Sequence, residues 1–332
     1  MSVTHTLLIL SKQEKEYRSL IESAHLPDLI IESTPTADID IVFGQPNLIK
    51  TALASLPALR WVQSTSAGVE HLIDPTLSRN YVLTNAREVF GELMSEYVIG
   101  YLLAHERKIF ARLAAQRNKV WDESDTGRLR GKTIGLLGVG SIGAEIARTA
   151  KFFGMTVRGY TRNSETCTDI DEYFHPLESI LESDSLLSKT QIQQHPQGKR
   201  AAVFQKFASG LDYLVSVLPN TLDTRKAVGA ELLNTLPSHA VFINVGRGSA
   251  VDESALIEAL NQNKIAGAVL DVFEQEPLPI EHPFWTIPNL LMTFHTSAPS
   301  FPDDIVKIFI ENYELFNTGK SLKYQVDFER GY

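Results

Sequence analysis

The run Ile134-Gly135-Leu136-Leu137, followed at once by Gly138-Val139-Gly140-Ser141-Ile142-Gly143, constrains the fold more than any other segment. The apolar residues read as a buried strand, and apolar spacing predicts a helix from Ile142 to Phe153. A G-x-G-x-x-G turn is a weak signal alone, but between a strand and a helix it points to a dinucleotide. The first glycine permits the tight turn, the second lets backbone approach a pyrophosphate, and the third lets helix pack on strand. Amides at the helix start then face the phosphates. Gly138, Gly140, Ser141, Ile142 and Gly143 are therefore candidate cofactor-binding residues.

A dinucleotide fold of the NAD type carries an acid about 20 residues further on, bonded to the adenosine ribose. Here the next strand, Met155 to Tyr160, ends in Thr161-Arg162-Asn163. A hydroxyl followed by a guanidinium suits a 2′-phosphate, because arginine offers forked donors to phosphate. Thr161 and Arg162 thus favour NADP(H), with NAD(H) possible. Arg158, inside the strand, has no assigned direction.

Short strands alternate with helices along most of the chain. Strands are predicted at Thr6–Leu10, Asp40–Phe43, Leu59–Ser64, Lys132–Leu137, Met155–Tyr160, Leu211–Val217, His239–Asn244 and Ala266–Asp271. Helices are predicted at Glu14–Ala24, as one long element from about Glu88 to Val120, at Ile142–Phe153 and at Asp303–Asn317. Pro302 and Asp303 mark the start of the last, with the carboxylate as its cap. This rhythm implies an α/β fold with parallel sheets covered by helices on both faces. The polar stretch Ser183–Arg200 breaks the rhythm and reads as a surface insertion.

The chain has 332 residues, which suggests two domains. Its formal net charge of -9 argues against bulk attraction to nucleic acid or an anionic membrane. The single cysteine, Cys167, permits no internal disulfide and no thiolate metal cluster, so a cytoplasmic protein without a metal is expected. The apolar run Leu7–Leu10 is too short for a signal segment or a membrane span and reads as the first strand.

Three later segments each place a polar group just past a strand, where the ligand crevice of an open α/β sheet lies. Arg247 stands in Val245-Gly246-Arg247-Gly248; the flanking glycines are expected to bring backbone close to a ligand and leave room for the guanidinium. Arginine binds a carboxylate bidentately and polarises an adjacent keto oxygen. Asp271 ends its strand and is a candidate to accept from a nicotinamide carboxamide. Glu276 precedes Pro277, and His295 follows the apolar Leu290–Met292. Reduction of a keto acid needs a proton on oxygen, which histidine can supply near neutral pH. Glu276 is the candidate partner for its other ring nitrogen. Pro219 and Val245 complete the cofactor-binding candidates.

Together these residues resemble the D-isomer-specific 2-hydroxy acid dehydrogenases, the formate/glycerate dehydrogenase-like family. The resemblance rests on Gly138–Gly143, Asn244–Gly248, Asp271–Pro277 and His295-Thr296-Ser297-Ala298. It implies Arg247, Glu276 and His295 as the catalytic set. It also implies two Rossmann-like or flavodoxin-like domains, a discontinuous substrate domain (residues 1–100 and 297–332) around a dinucleotide-binding domain (residues 101–296). The loop Ser66-Ala67-Gly68-Val69-Glu70-His71 resembles the family's substrate loop, which assigns the amides of Ala67 and Gly68 to the substrate carboxylate. Trp61-Val62-Gln63-Ser64, Met94-Ser95-Glu96-Tyr97 and Thr161-Arg162 resemble the glyoxylate/hydroxypyruvate reductase branch. The implied protein is a homodimer that reduces a small 2-keto acid with NADPH. The alternatives are an NAD-dependent biosynthetic dehydrogenase of 2-hydroxy acids and a dinucleotide-sensing regulator of the same fold.

Overall fold

The computed structural model describes residues 4–162, 165–176, 203–329 and 331. Its contacts divide the chain into two units, Met1–Phe90 with Pro299–Tyr332, and Gly91–Ala298. Each is built on one parallel sheet.

In the first unit β1 (His5–Leu10), β2 (Leu29–Glu32), β3 (Ile41–Gly44), β4 (Trp61–Ser64) and β5 (Val82–Thr84) lie in the order β2-β1-β3-β4-β5. That is the flavodoxin-like order. Side chains alternate across a strand, so each strand feeds two faces. Leu8, Val42 and Val62 pack in one core with Ile49 of helix α2 (Pro46–Ala52). Phe43 and Trp61 face the other way. Phe43 meets Tyr17 of helix α1 (Glu14–Ser23), and Trp61 stacks at 5.2 Å on Phe309 of the C-terminal helix Pro302–Asn317. The N-terminal and C-terminal segments thus share one core.

The second unit begins with helices α3 (Gly91–Glu106) and α4 (Ile109–Arg117). Its strands are β6 (Thr133–Leu137), β7 (Thr156–Tyr160), β8 (Glu172–Phe174), β9 (Tyr213–Ser216), β10 (Val241–Asn244), β11 (Gly267–Leu270) and β12 (Leu290–Met292). Their order is β12-β11-β10-β9-β6-β7-β8. From β6 the chain runs outward to β8, then returns to β9 on the other side of β6. This reversal is the switch point of the Rossmann fold, where ligands bind beyond the carboxyl ends of the strands. Helix α5 (Ser141–Phe152) packs with α3 on one face of the sheet through Ile146, Ala147, Val98 and Leu102. Register aligns the strand ends into one rim, Phe174, Tyr160, Leu137, Ser216, Asn244, Leu270 and Met292. Every candidate residue of this unit lies just past that rim.

Several expectations are corrected. The long helix expected over Glu88–Val120 is two helices, broken at Lys108, whose φ is +52°. The apolar residues Ile109, Phe110 and Leu113 continue the periodicity past the break, so the pattern hides it. The expected domain step at 100/101 falls inside α3, whereas the contact division runs between Phe90 and Gly91; the later step runs between Ala298 and Pro299. The last helix starts at Pro302, where a missing N–H is harmless. Phe301 holds the cap position, and Asp303 lies in the first turn, favourable to the helix dipole but not a cap. The stretch Ser183–Arg200 lies outside the described residues. Among the described residues, no helix is long and apolar enough to cross a membrane.

Candidate active site

β10, β11 and β12 are neighbours, so the segments after Asn244, Leu270 and Met292 emerge side by side. They carry Arg247, Asp271 with Glu276, and His295. His295 Nδ1 lies 2.8 Å from Glu276 Oε2. The carboxylate is an acceptor, so Nδ1 carries the hydrogen. The other oxygen, Glu276 Oε1, accepts the Phe273 amide at 2.9 Å, which fixes the plane of the carboxylate. The Glu276 bond holds the His295 imidazolium above the usual histidine range, against burial and against the nearby Arg247 charge. Burial opposes ionisation of Glu276, but the bonds from His295 and the Phe273 amide outweigh it and hold the carboxyl below its usual range.

The turn that bears His295 is built around Asp271, which is fully buried. Its main-chain carbonyl accepts the His295 amide at 2.7 Å. Its carboxylate accepts from Thr293 Oγ1 at 2.5 Å, the Thr296 amide at 2.9 Å and the Ser297 amide at 3.0 Å. Thr293 in turn accepts from the Tyr97 hydroxyl at 2.6 Å, a phenol whose pKa is pushed up by burial. These bonds hold His295 at φ +56°, a left-handed conformation that costs a non-glycine residue about 1–3 kcal/mol and persists only where its surroundings over-determine it. Beside it, Phe294 and Trp285 place two exposed rings 5.9 Å apart.

Arg247 follows a turn fixed by buried Asn244, whose side chain donates to the Arg247 carbonyl at 3.0 Å and accepts the Gly246 amide at 3.2 Å. The flanking glycines are required by the packing of the protein itself, a reason that the sequence does not show. A Cβ at Gly246 would stand 2.6 Å from the Leu218 carbonyl oxygen, and one at Gly248 would stand 1.9 Å from the Phe273 carbonyl carbon. They let three loops pack backbone to backbone.

At the end of β6, Gly138 has φ +97°, and a Cβ at Gly143 would meet the Gly138 carbonyl at 2.2 Å. Gly140 differs: a Cβ there meets nothing of the protein within 4 Å. Space and amides are therefore both presented at the start of α5, which has no side-chain cap. This fits a pyrophosphate approached by backbone. Val245 is buried, with its side chain in the core beside Ile243 and Val269. Pro219 accepts Thr224 Oγ1 through its carbonyl at 2.5 Å. Thr161 is bonded through its main chain to Phe174 and His175. Arg162 pairs with Asp223 at 2.6 Å. Arg158 is taken up by the carbonyls of Phe207 and Ser209.

Ala67 and Gly68 belong to the first unit, just past β4. The carbonyls of their loop are tied back: Thr65 by Ser300 Oγ at 3.0 Å, Ser66 by Ser64 Oγ at 2.9 Å, Ala67 by Asn85 Nδ2 at 2.8 Å. Among the described residues the Ala67 and Gly68 amides have no partner in the chain. Those two N–H groups are left available for an acceptor from outside the chain.

A family model described as D-isomer specific 2-hydroxyacid dehydrogenase, NAD binding domain, matches residues 99–195 and 184–297. The chain belongs to this family. It is thereby an NAD(P)-dependent dehydrogenase, with the two-domain architecture of its relatives. Within the family its similarity runs to the glyoxylate/hydroxypyruvate reductase branch. It is 29% identical over 306 residues to a glyoxylate/hydroxypyruvate reductase A of Yersinia enterocolitica, covering 90% of this chain and 89% of the relative. A solved family member from Aeromonas salmonicida superposes with a TM-score of 0.86 at 38% identity, covering 98% of this chain and 99% of that one. An NADPH-dependent glyoxylate/hydroxypyruvate reductase from Sinorhizobium meliloti, solved with NADP and sulfate, has a TM-score of 0.81 at 26% identity, covering 99% and 100%.

The sequence reasoning missed the residues that hold this dehydrogenase's loops in place. Asn85, Ser300, Thr293 and Tyr97 bond across positions far apart in the chain. The one signal available was polarity where an apolar residue is expected, as at Asn85, just past β5.

Proposed function

We propose that this dehydrogenase reduces a small 2-keto acid, of the glyoxylate or hydroxypyruvate type, to the D-2-hydroxy acid with NADPH. The observation that carries the reading is the 2.8 Å pair of His295 and Glu276, with Arg247 near enough for its charge to act on the imidazole. Bound NADPH supplies the hydride that reaches the keto carbon. Arg247 holds the substrate carboxylate and polarises the keto oxygen. His295, protonated on both ring nitrogens and oriented by Glu276, gives the proton of Nε2 to that oxygen. After turnover the neutral imidazole regains a proton from solvent.

Gly138, Gly140, Ser141, Ile142 and Gly143 hold the pyrophosphate, Thr161 and Arg162 the 2′-phosphate, and Pro219 and Val245 line the cofactor through their main chains. Asp271, a candidate for the nicotinamide carboxamide, is fully buried and bonded within its turn, so its part is to position His295. Ala67 and Gly68 are assigned to the substrate carboxylate from the family resemblance and from amides that have no partner among the described residues. NADPH is favoured because none of Thr161, Arg162 and Asn163, the residues directly after β7, is an acid, and because the Sinorhizobium neighbour was solved with NADP.

The protein is proposed to work as a homodimer. No residue of α4 is buried, and Phe110 and Trp121 are 52% and 88% exposed. An apolar face of that kind marks an association surface.

The test is a reductase screen of glyoxylate, hydroxypyruvate and pyruvate with NADPH and NADH in parallel. Turnover of at least one with NADPH well above NADH supports the proposal; no turnover of any, or an NADH preference, contradicts it.

A further inference from the structure

We infer that Asp223 is a cofactor-selecting residue, a carboxylate that competes with the dinucleotide 2′-phosphate for Arg162. The inference rests on the assignment of Arg162 to that phosphate. Arg162 stands two positions past β7, and Asp223 stands on the loop after β9. β6 runs between those two strands and ends in the glycine turn. The ion pair, Nη2 to Oδ2 at 2.6 Å, therefore spans the end of β6 at the switch point of the sheet.

Asp223 is held there by its loop. Thr224 and Arg225 donate their amides to the Thr221 carbonyl at 3.2 and 3.1 Å, and the hydroxyls of Thr221 and Thr224 bond at 3.0 Å. Thr224 Oγ1 also donates to the Pro219 carbonyl. The carboxylate is thus fixed by a bonded turn that includes a residue of the cofactor set. The side chains of the pair are 49% and 73% exposed, so their mutual attraction is weak. A phosphate offers more charge and more acceptor oxygens, and it takes the guanidinium from the carboxylate. The displaced carboxylate stays nearby on its turn and repels the phosphate. NADH, with a neutral 2′-hydroxyl, escapes this repulsion. Asp223 therefore narrows the preference for NADPH that Arg162 creates.

The test is direct titration of NADPH and NADH, at one ionic strength, against the wild type, Asp223→Asn and Arg162→Ala. Asp223→Asn is expected to tighten NADPH by roughly threefold to fivefold and to leave NADH within about twofold. Unchanged or weaker NADPH binding by Asp223→Asn, with NADPH weakened by Arg162→Ala, overturns the role of Asp223 and leaves the phosphate assignment standing. NADPH binding unchanged by Arg162→Ala overturns the assignment itself, and the competition with it.

Discussion

Asp271 holds His295 from beneath: its main-chain carbonyl accepts the histidine amide at 2.7 Å, and its carboxylate bonds residues on both sides of that histidine. The imidazole is therefore placed by a buried acid that lies one strand away. Thr293 also ties this set to α3, through the Tyr97 hydroxyl, as Ser297 does through Met94 Sδ.

Thr293→Val removes that bond and keeps the side-chain shape. It leaves the Tyr97 hydroxyl without its partner and one Asp271 oxygen short of a donor, at a cost of about 1–3 kcal/mol. Thermal unfolding should occur at lower temperature. The kcat should fall more than the KM for NADPH rises, because the histidine turn loosens while the glycine turn is untouched. Unchanged stability and kcat would show that Asp271 positions the turn without Thr293.

The pH profile reports the His295–Glu276 pair. Reduction needs the imidazolium, and Glu276 raises the His295 pKa. Reductive kcat/KM should therefore stay high at low pH and fall as pH rises through the raised value. Glu276→Gln removes the stabilising charge, so the basic limb should move down towards about pH 6.5. Oxidation of the hydroxy acid needs neutral histidine and should suffer less from Glu276→Gln at pH 8. A basic limb that does not move contradicts the pairing as the source of the shift.

Arg247→Ala should raise KM for the keto acid by about tenfold to a hundredfold, since charge-assisted bonds to one carboxylate contribute roughly 1.5–3 kcal/mol. Arg247 also lowers the His295 pKa. Its removal should move the basic limb of the profile upward, opposite to Glu276→Gln. Steady-state kinetics across pH read both effects, and a limb that moves down would contradict this charge arrangement.

The glycines separate structural from binding roles. Gly248→Ala forces a Cβ within 1.9 Å of the Phe273 carbonyl carbon. That displaces the loop whose Phe273 amide fixes Glu276, so stability and turnover should fall together. Gly140→Ala meets no protein atom within 4 Å. Its melting temperature should stay close to wild type while NADPH binding weakens. Equal losses of stability in both variants would remove the argument that Gly140 is kept open for the cofactor.

The sheets were legible because their strands are short apolar runs, as at Leu136-Leu137 and Val241–Asn244, each closed by a turn. The segments of the candidate site were legible because their polar residues follow such runs at short distances; Arg247 and His295 each lie three positions past a strand end. Strands β2, β5 and β8 escaped because they are three or four residues long and mix polar with apolar side chains. The break at Lys108 escaped because apolar spacing continues across it. The protein packing that requires Gly246 and Gly248 was not legible, since a glycine pattern shows that something comes close but not what. Side-chain ties such as Asn85 to Ala67 depend on the folded register and have no local signature.

The central claim is that His295 delivers the proton. His295→Asn tests it most directly, because asparagine tolerates the left-handed backbone at φ +56°. Single-turnover oxidation of saturating NADPH by the keto acid should slow by about 100- to 10,000-fold, with the NADPH Kd unchanged. A rate within a few fold of wild type would contradict the account.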